Sequence, residues 1–283
     1  MITVAEALRD ATRRLGSVSD TARLDAEFLM ADALRVSRSE LLLKRMAEPQ
    51  PEGFEAWVAR RERGEPLAYI VGVQEFFGLP FAVSSDVLIP RADSETTLRA
   101  ALEAAPSAST VLDCGTGSGA LLLAFLHERP AAAGVGIDRA TQAVAVARKN
   151  AAHLGLAGRC ELRVADWNAP GWSDDLGRFD LVIANPPYVE TGADLDRSVR
   201  DFEPAGALYA GPEGLDAYAV LIPQISDLLA TGGAAVLEIG AAQADAVAEL
   251  ARRHGFSSEL HRDLADRPRA LVLRLSTWQS AME

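Results

Sequence analysis

Residues 179–188 have the sequence Phe179-Asp180-Leu181-Val182-Ile183-Ala184-Asn185-Pro186-Pro187-Tyr188. The first six form an apolar run that predicts a strand buried on both faces of a parallel sheet. Two consecutive prolines end that strand, because proline has no N–H with which to continue the ladder. Ligands of open α/β sheets bind at the carboxyl edge, so the residues after the strand are predicted to lie at a binding site.

The stretch Asn185-Pro186-Pro187-Tyr188 offers hydrogen-bond acceptors and one aromatic ring. Asn185 supplies a side-chain oxygen. The end of the strand also frees its backbone carbonyl and that of Pro186. Such acceptors suit a planar –NH2 group, on which the ring of Tyr188 can stack. The simpler alternative is a strand terminator with a solvent-facing tyrosine, and this stretch alone does not decide between the two.

Composition sets the broad class of the protein. The chain has 283 residues, 49% of them hydrophobic, which allows one large domain and a small one. No apolar run reaches the ~18 residues that a membrane span needs, and the N-terminus lacks a signal-peptide pattern. We therefore expect a cytoplasmic monomer without membrane contact. Two cysteines and four histidines have no metal-ligand spacing, so no metal site is predicted.

The chain divides into three predicted parts. Residues 1–70 are predicted to be a helical domain for substrate binding or positioning, since they have capping boxes at Thr3 and Ser37 but no cluster of titratable groups. A further helix is predicted to begin at Pro51. Residues 71–91 form a connector with a predicted β-hairpin. Residues 92–283 alternate strands and helices, which indicates an α/β, doubly wound, Rossmann-like sheet.

Seven strands are predicted in that sheet, at residues 110–113, 134–138, 160–164, 179–184, 234–239, 257–261 and 270–275. Helices are predicted at 94–104, 119–128, 140–154, 215–229 and 242–254. The last two strands are too close for a crossover helix, so we expect them to form an antiparallel pair at one edge. Pro223 predicts a kink or a late start in its helix.

A glycine-rich turn joins the first of these strands to its helix, and it consists of Asp113-Cys114-Gly115-Thr116-Gly117-Ser118-Gly119. Glycines let a ligand approach the backbone closely, but the pattern also fits a dinucleotide fingerprint. Asp113 favours S-adenosylmethionine, because it can accept from an ammonium and would repel a pyrophosphate. Asp138 ends the second strand, where a carboxylate can accept both ribose hydroxyls; alternatively it caps the next helix.

Asp166 and Trp167 follow the third strand. In this topology that position borders the adenine, so Asp166 is predicted to accept from the exocyclic amine and Trp167 to cover the ring. A buried tryptophan beside a solvated aspartate is the alternative.

Net charge disfavours nucleic acid as a partner. The chain carries −12, and residues 78–283, with 17 basic and 27 acidic side chains, carry −10 of it. An acidic surface around the predicted site repels phosphates. We expect a protein or small-molecule substrate and no stable nucleic-acid complex.

Together, the glycine turn, the acid at Asp138 and the Asn-Pro-Pro-Tyr stretch resemble the amino-methyltransferases. Longer stretches resemble the HemK-type (PrmC) peptide-chain release factor glutamine methyltransferases over nearly the whole chain. They are Gly64-Glu65-Pro66-Leu67-Ala68-Tyr69-Ile70, Glu75-Phe76-Phe77-Gly78-Leu79-Pro80-Phe81, Leu88-Ile89-Pro90-Arg91, Val199-Arg200-Asp201-Phe202-Glu203-Pro204, Gly211-Pro212-Glu213-Gly214-Leu215-Asp216 and Leu237-Glu238-Ile239-Gly240.

The resemblance implies methyl transfer from S-adenosylmethionine to the N5 amide nitrogen of the Gly-Gly-Gln glutamine in class I release factors. It implies that Gly115, Thr116, Gly117, Ser118, Gly119, Asp138 and Trp167 hold the cofactor, and that Asn185, Pro186, Pro187 and Tyr188 hold the glutamine amide. Residues 92–283 would then be the methyltransferase domain. The family usually has Pro-Glu-Thr-Glu after Ile-Pro-Arg, whereas this chain has Ala92-Asp93-Ser94-Glu95. That departure bears on loop rigidity and substrate range, because the carboxylate and the hydroxyl are kept.

The residues alone leave three alternative functions open. The first is a glutamine of a ribosomal protein as the substrate. The second is an adenine N6-methyltransferase, since Asn-Pro-Pro-Tyr suits either amine. The third is a catalytically silent binding protein on the same fold, which the intact Asn185 and glycine turn disfavour.

We predict no salt-sensitive affinity for duplex DNA at physiological ionic strength, because the net charge of −10 on residues 78–283 opposes counterion release. A fluorescence anisotropy titration at two salt concentrations measures this. Tight binding that weakens steeply with salt would contradict the prediction and favour the adenine alternative.

Overall fold

The computed structural model describes residues 2–276. Within that range, residues up to 73 and the segment 195–202 form one compact unit, and residues 74–194 with those from 203 onward form a second. The boundaries predicted at residues 70 and 91 stay predictions, as does the binding role of the first part. Among the described helices, none is long and apolar enough to cross a membrane.

The α-helices of the described chain are α1 Val4–Leu15, α2 Ala22–Ala33, α3 Arg38–Glu40, α4 Phe54–Glu62, α5 Leu67–Val71, α6 Ser94–Ala104, α7 Ala120–Glu128, α8 Thr141–His153, α9 Arg197–Phe202, α10 Asp216–Leu228 and α11 Ala244–Arg253. Its strands are β1 Val73–Phe76, β2 Leu79–Ala82, β3 Thr110–Cys114, β4 Ala133–Asp138, β5 Cys160–Val164, β6 Phe179–Ala184, β7 Leu229–Glu238, β8 Phe256–Arg262 and β9 Pro268–Leu275. A π-helical turn, Leu41–Arg45, continues α3.

Local sequence signals account for α1. Its capping box is confirmed, since Thr3 Oγ1 accepts from the Glu6 N–H and the Glu6 carboxylate accepts from the Thr3 N–H. The apolar face of the helix is buried in the core of the first unit, and it consists of Val4, Ala7, Leu8, Ala11 and Leu15. Gly16 follows the last residue of the helix, as predicted.

Two other predictions in this unit are wrong in detail. At Ser37, only one of the two hydrogen bonds of the predicted capping box forms. Ser37 accepts from the Glu40 N–H, but the Glu40 carboxylate pairs with Arg45 instead of accepting from the Ser37 N–H. A charged guanidinium is the stronger partner for that carboxylate. The fourth helix begins at Phe54 rather than at Pro51, because Gly53 takes a left-handed conformation just before it.

The predicted β-hairpin is confirmed, with β1 and β2 forming a two-stranded sheet. Its turn is the pair Phe77-Gly78, with φ of 52° and 75°. Two successive positive φ angles match the right-handed twist of the paired strands.

The main sheet has seven strands in the order β5-β4-β3-β6-β7-β9-β8. The first five are parallel, and the predicted antiparallel edge is confirmed, since β9 pairs antiparallel with both β7 and β8. Pro223 lies inside α10, which begins at Asp216, so the predicted late start is wrong.

The central strands β3 and β6 are buried on both faces. Alternate residues of each strand belong to different apolar clusters: Val111 and Ile183 pack in the cluster with α6, α7 and α8, whereas Leu112 and Val182 pack in the cluster with α10 and α11. Helices therefore cover these two strands on each side, which is the reason that they are largely apolar.

The central pair β3 and β6 sets the geometry of the carboxyl edge. Its register aligns Cys114 with Ala184, so that Asp113 lies one residue before the end of β3 and Asn185 directly after the end of the neighbouring β6. At the opposite end, one Asp180 oxygen accepts from the N–H and the hydroxyl of both Ser109 and Thr110, at 2.8–3.1 Å. This carboxylate joins the start of β6 to the start of β3.

We predict that Asp180→Ala lowers the free energy of unfolding by about 1–3 kcal/mol at neutral pH, as expected when hydrogen bonds to a charged group are lost. These hydrogen bonds, chiefly from Ser109, lower the pKa of Asp180. Its contribution is therefore present above the ordinary aspartate pKa and lost as pH falls through the folded-state pKa.

Urea titration at several pH values measures the difference between parent and variant. Asp175→Ala is the matched control, because that exposed carboxylate has a surface ion pair with Arg163 and should change stability little. Equal effects of the two substitutions would show that Asp180 does not join the strands energetically.

Candidate active site

A cavity of about 510 Å³ opens at the carboxyl edge of the sheet in the second unit. Its walls come from the glycine turn after β3, from the residues that follow β4, β5 and β6, and from the segments 86–91 and 204–217. Most of the predicted site residues line it: Asp113, Gly115, Thr116, Gly117, Ser118, Asp138, Asp166, Trp167, Asn185 and Pro187. The tertiary structure thus brings residues from four strand ends to one cavity.

The glycine turn lets the backbone and an indole ring approach each other. Gly115 has φ of 80°, and a Cβ there would lie 3.1 Å from Cη2 of Trp167. Gly119 does not line the cavity; it precedes α7 with φ of 83°, and a Cβ there would lie 2.9 Å from Leu123 Cδ1 of the same helix. The cofactor role predicted for Gly119 stays a prediction.

Asp113 is 1% exposed, and one of its carboxylate oxygens has no partner. The other oxygen accepts from the Thr116 hydroxyl at 2.7 Å. Burial raises the pKa of Asp113 to about 7, the hydroxyl of Thr116 opposes that shift, and the charge of Asp138 adds to it. A buried, partly satisfied carboxyl on a cavity wall suits a cationic group that would hold it ionised.

Both oxygens of Asp138 accept from backbone N–H groups, one from Gly117 and one from Ala140, each at 2.9 Å. The residue therefore holds the glycine turn and the entry to α8 together. Each carboxylate oxygen keeps a further lone pair for a ligand. The capping alternative and the ribose-binding prediction are thus compatible with one another.

Asp166 and Trp167 lie side by side on the cavity wall. Asp166 accepts from the N–H and the side-chain amide of Asn168, and the backbone bond chiefly lowers the pKa of this carboxyl. Trp167 is half-buried, with its ring against Gly115, and its carbonyl accepts from Gln224. An ionised acceptor and an aromatic face are therefore available to one ligand.

The Asn-Pro-Pro-Tyr stretch presents Asn185 and Pro187 to the cavity, whereas Pro186 and Tyr188 do not line it. Pro186 is buried, and the half-buried Tyr188 packs against the core on the α10 side. Burial raises the pKa of Tyr188 to about 12, so the phenol is protonated at neutral pH. The stacking role of Tyr188 and the acceptor role of the Pro186 carbonyl stay predictions.

Gln243, which sequence reasoning missed, holds this stretch in place. Its Nε2 donates to the carbonyls of Tyr188 and Gly214 at 3.0 and 3.1 Å, while its Oε1 accepts from the Gly240 N–H. One side chain thus links three loops. No signal in the sequence indicates this, because the linked groups are backbone atoms at distant positions.

Two further buried carboxyls stand behind the cavity wall. Glu203 accepts from the Ile89 N–H at 3.3 Å and pairs with Arg91, which fixes the segment 86–91. Glu238, 2% exposed, accepts from the Thr97 hydroxyl at 3.2 Å and from Ser94. The resemblance includes Arg91, Glu203 and Glu238 in its motifs, but nothing in the sequence indicates how they pair.

Comparison with known proteins identifies similar chains. A family model described as "PrmC N-terminal domain" matches residues 6–72, and one described as "Methyltransferase domain" matches residues 106–233. A protein named Release factor glutamine methyltransferase from Moorella thermoacetica is 41% identical over 281 residues, which cover 96% of this chain and 98% of that protein. One of the same name from Cereibacter sphaeroides is 42% identical over 278 residues, with coverage of 96% and 98%.

A solved structure resembles this chain in fold. A methyltransferase from Pyrococcus furiosus matches with a TM-score of 0.51 and 17% identity, over 70% of this chain and 89% of that one. At this identity the likeness concerns the fold alone, and it agrees with the α/β architecture predicted from the sequence.

We predict that the stability of the parent falls relative to that of Glu238→Gln as pH rises from about 5 to about 8. Burial raises the pKa of Glu238 to about 7, against the opposing hydroxyls of Ser94 and Thr97 and the charge of Arg269, with Asp93 adding to the rise. The native state holds this proton more tightly, so its stabilising effect is present at low pH and lost as pH passes the folded-state pKa. The relative change should be about 2–3 kcal/mol.

Urea titrations of both proteins across this pH range provide the measurement. The buried Asp113 is present in each, so its own titration cancels in the difference. Parallel stability curves would contradict the assignment of the raised pKa to Glu238.

Proposed function

The chain belongs to the family of release factor glutamine methyltransferases, and we propose that it methylates the side-chain amide nitrogen (N5) of the glutamine in the Gly-Gly-Gln motif of class I peptide-chain release factors, with S-adenosylmethionine as the methyl donor. One observation carries the proposal: Asn185, an amide acceptor at the end of β6, lines the same cavity as the carboxyls of Asp113 and Asp138. The relatives that bear this name cover nearly the whole chain.

The cavity residues fit S-adenosylmethionine by their chemistry. The unpartnered oxygen of Asp113 suits the ammonium of the methionine part. Asp138 can accept from the ribose hydroxyls, and Asp166 with Trp167 suits an amino-substituted aromatic ring. When bound, this cofactor supplies an electrophilic methyl group on a positively charged sulfur.

The substrate nitrogen poses the chemical difficulty. Its lone pair is delocalised into the amide carbonyl, which makes it a poor nucleophile. Tyr188, the titratable member of the Asn-Pro-Pro-Tyr stretch, has its pKa raised to about 12 by burial, so it does not provide a base at neutral pH. The Asn-Pro-Pro-Tyr stretch therefore supplies no base for deprotonating the substrate amide.

Orientation of the substrate amide remains as the contribution of the protein. In our proposal, Asn185 Oδ1 accepts one N–H of the glutamine amide and the Pro186 carbonyl accepts the other. These two bonds would hold the –NH2 group in one plane and direct its lone pair toward the methyl group. Alignment and fixed dipoles of this kind would lower the barrier to forming the N–CH3 bond as the S–CH3 bond of the cofactor breaks, and the nitrogen would then lose one proton to solvent.

A side-by-side transfer assay tests the function. Labelled S-adenosylmethionine is incubated with the enzyme and a purified release factor, the same factor with its Gly-Gly-Gln glutamine changed to alanine, a ribosomal-protein mixture, or duplex DNA. We expect label in the intact factor alone. Label in the altered factor would place the methyl group elsewhere, and label in ribosomal protein or DNA only would overturn the proposed substrate.

We predict that Asn185→Ala lowers kcat by roughly 10²–10³, the loss typical of one preorganised polar group, while cofactor affinity changes much less. Asn185→Asp keeps an acceptor in the same place and should retain more activity than the alanine variant. Added negative charge near the sulfonium can still tighten the ground state and slow the reaction.

Steady-state rates at saturating substrates and calorimetry with the cofactor separate these effects. A kcat in the alanine variant within a few-fold of the parent would exclude Asn185 as the aligning group. The backbone carbonyls alone would then have to orient the amide.

A further inference from the structure

Ser94, at the start of α6, lies between Asn185 and the buried Glu238. It is 4% exposed and reaches the cavity wall. Its Oγ accepts from Asn185 Nδ2 at 3.5 Å, the long end of hydrogen-bond distance, and its hydroxyl bonds to the Glu238 carboxyl. A chain of three side chains therefore runs from the buried carboxyl to the amide at the cavity.

The hydroxyl of Ser94 is not engaged in capping α6. The residue before it, Asp93, occupies the N-cap position and makes no side-chain cap bond. Serine is common at helix starts because it caps, but here the side chain points to Asn185 and Glu238 instead. The position of Ser94 is therefore explained by these two contacts.

Glu238, the buried member of these three side chains, determines which group donates each hydrogen bond. At a pH well above its raised pKa of about 7, Glu238 is ionised, and an ionised carboxylate accepts hydrogen bonds and donates none. Glu238 takes the single proton of the Ser94 hydroxyl, as it takes that of Thr97. Ser94 Oγ can then offer Asn185 only its lone pairs. A lone pair accepts a hydrogen bond from the amide N–H and repels the amide oxygen.

We propose that Ser94 is a positioning residue that selects one of the two orientations of the Asn185 amide, with Nδ2 toward α6 and Oδ1 toward the substrate –NH2. The inference rests on the proposed function for its catalytic consequence. In the reverse orientation, Asn185 would offer an NH2 group to a substrate NH2 group, and no hydrogen bond could form. Ser94 thereby acts on the rate through Asn185 and touches no reacting atom.

Three variants isolate this role. Ser94→Ala removes the lone pair that faces Asn185, and Ser94→Thr keeps it. Thr97→Ala is the matched control: it also removes a hydroxyl from Glu238, on the same helix and one turn away, but Thr97 has no bond to Asn185. General effects on Glu238 and on α6 should thus be common to both alanine variants.

For methyl transfer to a release factor at a pH well above 7, where Glu238 is ionised, we expect Ser94→Ala to lower kcat about tenfold, the loss typical of one hydrogen bond, with cofactor Kd unchanged by calorimetry. Ser94→Thr should recover most of the rate, and Thr97→Ala should lose less than about threefold. Equal losses in the two alanine variants, or a loss confined to cofactor affinity, would overturn the positioning role.

A second readout does not require activity. In spectra of ¹⁵N-labelled protein, the side-chain NH2 signals of Asn185 are those missing from Asn185→Asp. We expect Ser94→Ala to shift them and to speed their exchange with water, Ser94→Thr to restore them, and Thr97→Ala to leave them in place. Asn185 NH2 signals that do not change in Ser94→Ala would refute the inference. If the parent protein shows no methyl transfer but its Asn185 signals do depend on Ser94, only the proposed function would be refuted.

Discussion

The parallel pairing of β3 with β6 is the constraint on which the site depends. Because Cys114 is aligned with Ala184, the chains that leave these two strands emerge at the same height. Asp113 and Asn185 therefore line the same cavity, although 72 positions separate them along the chain. Two prolines stop β6 at this point and free the backbone that follows. A shift of this register by one residue would send the side chains of one strand to the opposite faces of the sheet and would misalign the two strand ends.

Buried carboxyls hold the loops around this edge, each with its own set of donors. Glu203 fixes the segment 86–91 through a backbone N–H and Arg91, and Glu238 gathers two hydroxyls from α6. Asp113 differs, since one oxygen has no partner within the described chain. A buried carboxyl that has its hydrogen-bond donors within the protein supports the structure. A buried carboxyl on a cavity wall with an oxygen that lacks a donor indicates a ligand.

The amide groups of Asn185 and Gln243 show how neutral side chains can order an active site. Gln243 uses both its donor and its acceptor on backbone atoms of three loops. Asn185 uses its donor on Ser94, which in our proposal leaves its acceptor for the substrate amide. In each case the direction of the amide is set by groups whose own hydrogen-bonding character is fixed, which is how a motif without a base can still orient a substrate.

The sequence by itself determined the strands, the helices that cover them and the acidic and amide residues at their carboxyl ends. Apolar runs, glycine turns and the double proline are local signals, and they act through backbone sterics and hydrogen bonds that need no distant partner. Asp113, Asp138, Trp167 and Asn185 were predicted in this way, and all four line one cavity. The contacts that orient them were decided only by the tertiary structure: Ser94 and Asn185 are 91 positions apart, and Thr97 and Glu238 are 141 apart. Such pairs leave no periodicity in the chain, because a side-chain hydrogen bond depends on where two elements pack and not on the residues beside each partner.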